Sequence, residues 1–147
     1  MTFWKITKIF SCKFKKPIEI YSYKTVDEAL ENRGATFAEF LFQLIAEKGL
    51  KNSQVYGKFN KYSNKKMFSD IRKNIIPKKN SIIKIIFSLE LSLEEAKKLL
   101  EMAGYALMPS NDFDLIVTHF IATKNFNQFE IDEELDKRNL PTIFSEK

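Results

Sequence analysis

Lys65, Lys66 and Ser69, with Asn64 beside them, are side chains that can donate hydrogen bonds to base edges, and Lys58, Lys61, Lys73, Lys78 and Lys79 surround them as cations suited to phosphate. Between positions 51 and 84 ten Lys or Arg stand against one acid, Asp70, in a chain whose net charge is only +5. Charge concentrated in this way points to a polyanion. The chemistry it supports is docking on a phosphate backbone combined with reading of base edges. No Arg precedes Arg72 on this face, so the readers are lysines, point charges rather than the planar fork that pairs bidentately with guanine.

Other constellations offer less. His119 stands in Thr118-His119-Phe120 with no Ser, Cys or acid at a catalytic spacing, and reads as a structural or surface histidine. Glu130, Asp132, Glu133, Glu134 and Asp136 read as a solvated helix face, negative toward the helix N-terminus. Trp4, Phe10 and Phe14 among Lys5, Lys8, Lys13, Lys15 and Lys16 could stack single-stranded bases, but fit better as the core of a small amphipathic hairpin. One Cys and one His supply no metal-ligand set, and no glycine-rich phosphate loop, nucleophile elbow or two-histidine metal motif occurs. The chain is therefore expected not to be an enzyme and to act without metal or cofactor.

Helices must position these side chains. Fourteen Phe and many Ile supply a core within 147 residues, whereas four Gly and four Pro leave little for the turns of a many-stranded sandwich. Thr36-Phe37-Ala38-Glu39 has the spacing of a capping box, after which Phe37, Phe40, Leu41, Leu44 and Ile45 fall on one face before Lys48 and Gly49. A shorter helix is expected from Ser53 to Asn60, burying Val55, Tyr56 and Phe59. A third begins at Ser63 and turns Met67, Phe68 and Ile71 inward. Asn80 or Ser81 caps a fourth, whose Ile-rich run Ile82 to Leu89 would also suit a strand. Ser92-Leu93-Glu94-Glu95 opens a fifth that closes at Gly104. Two more span about 110–123 and 127–137. Ahead of them, the alternation of Ile18 to Tyr23 predicts a short strand or hairpin. No apolar run approaches a membrane span, and the early lysines interrupt any secretory core, so a cytoplasmic protein with no membrane partner is expected.

Five short helices with a tight second and third pair resemble the Cro and lambda-repressor type of helix-turn-helix over about residues 36–104. The segments Val55-Tyr56-Gly57-Lys58, Met67-Phe68-Ser69-Asp70-Ile71-Arg72, Leu99 to Leu107, Phe113-Asp114-Leu115-Ile116 and Phe129-Glu130-Ile131 extend the likeness to about 26–141. There the chain resembles a bacterial helix-turn-helix module often fused behind macro domains. No macro domain is present, so none of its chemistry is implied. Two departures bear on the comparison. Tyr56 occupies a place that the family usually gives to a small Ala, and Lys61-Tyr62 read as extra residues in the turn, which would displace the third helix.

The expectation is a mainly α protein with a five-helix repressor-like core, two C-terminal helices and an N-terminal strand or hairpin arm. Residues 1–35 form the arm, 36–141 the helical domain and 142–147 a tail. The resemblance implies a regulator that binds double-stranded DNA through its third helix, with a homodimer to read two half-sites. The alternative is a protein-interaction or adaptor module that uses the same scaffold and recruits a protein partner through the acidic C-terminal helices.

Overall fold

Side-chain caps and left-handed C-terminal residues punctuate the chain into helices. The computed structural model describes residues 21–51, 54–55, 57 and 61–145, of which 61–64 by their backbone alone. Among them are seven helices: α1 Val26–Glu31, α2 Phe37–Glu47, α3 Lys61–Arg72, α4 Lys79–Leu89, α5 Leu93–Met102, α6 Asp112–Ala122 and α7 Gln128–Asp136. The described residues contain no strand. The strand expected near the N-terminus lies outside them except for Tyr21–Tyr23, which belong to no strand. Most of the helix expected at 53–60, including Tyr56, also lies outside, although Gln54 and Val55 are helical and Val55 is fully buried. No helix of the described residues is long and apolar enough to cross a membrane.

The chain divides into two compact units, residues 1–35 and 36–147. In the first, α1 arises within the arm, where no helix was expected. Thr25 Oγ1 accepts from Glu28 N at 3.1 Å, and Glu28 returns a carboxylate to Lys24 N at 2.9 Å. Local caps hold this helix, since Val26 and Leu30 are largely exposed and none of its residues is buried.

In the second unit, α2 starts at Thr36, whose hydroxyl accepts from Glu39 N, and buries Phe37, Phe40, Leu41, Leu44 and Ile45. α5 starts at a full capping box in which Ser92 and Glu95 satisfy each other's backbone N–H. α2 and α4 pack on α5, α5 on α6, and α6 on α7. α4 is deeply buried: Ile82, Ile83, Ile85, Ile86, Phe87, Ser88 and Leu89 are all covered. A helix that is apolar almost all round needs neighbours on every side, and that burial overrides the strand preference of its isoleucines. Its N-cap is Lys78 rather than Asn80 or Ser81, and no side chain caps it.

Two buried carboxylates tie loops to this bundle. Asp114, on α6, accepts from Lys79 Nζ at 2.7 Å and from Met108 N at 2.8 Å. The Tyr105 hydroxyl donates to Pro77 O at 3.1 Å, so the α3–α4 connection is stapled to the segment before α6 and the start of α4 to α6. Replacing Asp114 by Ala leaves a mostly covered ammonium and a backbone donor without their acceptor, and should cost about 2 kcal/mol in denaturant unfolding. A loss below about 0.5 kcal/mol would mean that water replaces the carboxylate at no penalty.

Asp132, on α7, accepts from Ile143 N at 2.8 Å, from Phe144 N, from Ser145 N at 2.7 Å and from Ser145 Oγ at 2.8 Å. Ile143 is buried, and the Phe144 ring lies 5.4 Å from that of Phe87 on α4. Residues 142–145, read from sequence as part of a tail, are thus folded back onto the bundle.

Candidate nucleic-acid interface

α3 is fastened by one side and open on the other. Phe68 and Ile71 are buried, and the Phe68 ring lies 6.2 Å from Phe42 of α2. Arg72 extends its guanidinium over the same Phe42 ring, 5.4 Å from the centroid, which orders an exposed cation at the end of the helix. On the open side Lys65, Lys66, Ser69 and Lys73 are exposed. Lys66, Ser69 and Lys73 follow the i, i+3, i+7 rule of a single face, and Lys65 and Arg72 flank it. That stripe is about 10 Å long, comparable with a major groove about 12 Å wide.

The first turn of α3 runs against the helix dipole, although Arg72 in the last turn suits it. Asp or Glu occupies the first turn of α1, α2, α5, α6 and α7, where it complements the positive end of the helix dipole. α3 has no acid in its first turn and opens on Lys61. α4, next along the chain, also has no acid there and opens on Lys79 after the exposed Lys78. Cations kept at positive helix ends cost stability and raise the local potential, a departure from local preference of the kind found where a charged ligand binds.

The expected site residues do not all share this face. Lys65, Lys66, Ser69 and Lys73 do. Lys78 is exposed in the connection that follows. Lys79 is withdrawn, because Asp114 holds its ammonium at 2.7 Å and its side chain is only 26% exposed. Asn64 has the backbone register of the buried stripe, four residues before Phe68 and seven before Ile71, rather than that of Lys66 and Lys73. Lys58 lies outside the described residues, and Lys61 is described by its backbone alone. The helix starts at Lys61 rather than Ser63, so Lys61 and Tyr62 belong to its first turn. Arg72 is the contributor that the sequence undervalued; its spacing from Ser69 and Lys65 carried the signal.

The acidic C-terminal helices build a second surface, a groove of about 580 Å³ between α6 and α7. Leu115, Ile116 and Phe120 line one side and Glu130, Glu133 and Glu134 the other, with His119 and Arg138 at its edges. The Glu134 carboxyl is held below the usual range first by its hydrogen bond to Arg138 and then by Lys137, whose own ammonium is raised by Glu133 and Glu134. A lowered carboxyl stabilises the fold above its ordinary value and loses that contribution as pH falls through the folded one; a raised ammonium contributes at lower pH and loses it as pH rises. Both groups are open to solvent in part, so neither makes this groove a titrating centre. No group of three or more His, Cys, Asp or Glu among the described residues could hold a metal ion.

Comparison of the chain with protein-family models, with curated proteins and with solved structures finds no match.

Proposed function

We propose that this chain is a helix-turn-helix protein that binds duplex DNA, with α3 as the reading helix and gene regulation as its use. The observation that carries the reading is the open face of α3, where Lys65, Lys66, Ser69, Arg72 and Lys73 are exposed on a helix anchored from behind by Phe68 and Ile71. Lysines and Arg72 would hold phosphates, with Lys78 extending the contact, while Lys65, Lys66 and Ser69 reach base edges. Lys61 and Tyr62 lie in the first turn of α3 rather than in the turn before it, where the sequence alone would put them, and this supports the same reading. The resemblance of the helix order to the Cro and lambda-repressor type supports the same reading.

Titrating the protein into a labelled duplex of about 30 base pairs at low salt should give saturable binding, read by fluorescence anisotropy. No binding under those conditions refutes the proposal.

The groove between α6 and α7 favours a second reading, in which the repressor-like helices are scaffold and a protein partner docks at Leu115 and the acidic wall. A variant with the α3 lysines reversed separates the two, since it would keep such a partner and lose DNA.

A further inference from the structure

Helices α2 to α7 all end in one way. A residue of positive φ follows each last turn: Gly49, Asn74, Glu90, Gly104, Lys124 and Asn139. The N–H of the next residue then returns to a carbonyl five positions earlier, as from Leu50 to Ile45, Ile75 to Asp70, Leu91 to Ile86, Tyr105 to Leu100 and Leu140 to Leu135. This closure folds the returning side chain toward the residue that offers the carbonyl, where an apolar pair normally forms. Leu91 opposite Ile86 is fully buried, and Leu50, Tyr105 and Leu140 are half-buried opposite Ile45, Leu100 and Leu135, whereas α6 returns the polar Asn125 to Phe120.

Of these closures, α3 is the one that returns an apolar side chain to a polar residue. Ile75 returns to Asp70, which follows Ser69 of the open face, so the closure offers it no apolar residue and it stays 52% exposed; Ile76 is 44% exposed. The connection is held firmly, with Pro77 O bonded to Tyr105 and Lys79 to Asp114. Two β-branched side chains are therefore presented beside the open face of α3, between the exposed Lys73 and Lys78.

We infer that Ile75 and Ile76 are the apolar contact of the duplex interface, set against deoxyribose and base edges where α3 leaves the groove. The inference rests on the duplex reading of α3. The flanking cations select the occupant: a polyanion neutralises Lys73 and Lys78 while its sugars and bases cover the isoleucines. A second copy docked by two-fold symmetry would bring the same lysines face to face.

The test is a salt titration of Ile75→Ser/Ile76→Ser against the wild type on one duplex. Ionic contacts fix the slope of log affinity against log salt, whereas apolar contacts shift the whole line. Parallel lines are expected, with the variant weaker by about tenfold or more. Superimposed lines overturn the inference and leave the duplex reading standing, and so does a change confined to slope. A wild type that binds no duplex ends both. Light scattering that shows a wild-type dimer and a monomeric variant assigns the patch to a second copy, which also overturns it. Both side chains are exposed, so the thermal midpoint should hold; should the double variant unfold, Ile76→Ser alone carries the same comparison.

Discussion

Replacing Lys65 and Lys66 together by glutamate should weaken duplex binding by about two orders of magnitude or more while leaving the fold intact. Two cations that would neutralise phosphate or meet base edges become anions that repel them, so attraction is lost and repulsion gained at the centre of the face. The fold should tolerate the change. Both side chains are exposed, and neither forms an ion pair among the described residues. Glutamate at position 66 would lie four residues before Asp70, a like-charge pair that costs only about 0.3 kcal/mol, while acids nearer the start of α3 suit its dipole. An unchanged circular-dichroism melt with lost anisotropy is the expected pair of results. Retained binding would remove α3 from the interface.

The largest expected effect on stability belongs to Asp132. Replacing it by Ala should cost about 3–5 kcal/mol, a fall of roughly 10 °C or more in melting temperature. Its carboxylate accepts from three consecutive backbone N–H groups and one hydroxyl of residues 143–145. Without it that segment has no local partner for those donors. Release of the segment would also expose Ile143 and separate Phe144 from Phe87. Deleting residues 142–147 should cost a similar amount, and combining the deletion with Asp132→Ala should add little, because both remove one interaction. Additive losses would mean that Asp132 acts on something other than this segment.

Local signals in the sequence reach as far as local physics does. The apolar spacing of Phe37, Phe40, Leu41, Leu44 and Ile45, the Ser92–Glu95 capping box, and glycine at positions 49 and 104 each depend on neighbours within a turn or two, and the helices stand where those signals put them. α1 was also legible, in the spacing of Thr25 and Glu28, but it lacks an apolar stripe and so escaped a reading led by hydrophobic periodicity. The carboxylates were not legible. Asp114 meets Lys79 across 35 positions, and Asp132 meets 143–145 across a loop, so nothing near either residue distinguishes it from a solvated acid. The same non-local pairing took Lys79 out of the candidate interface, where charge counting alone had placed it. Asn64 differs again: wherever the helix starts, its backbone shares the register of Phe68 and Ile71, which polarity alone did not show.

The most direct measurement is the affinity of the wild-type protein for a duplex across a range of salt concentrations. Among the described residues, Arg72, Lys73 and Lys78 are the exposed cations on and beside α3 that are assigned to phosphate, and three phosphate contacts predict a slope of log affinity against log salt of about −2.7. A line of that steepness supports α3 and its following connection as the docking surface. Affinity that is absent at low salt, or that does not change with salt, contradicts it.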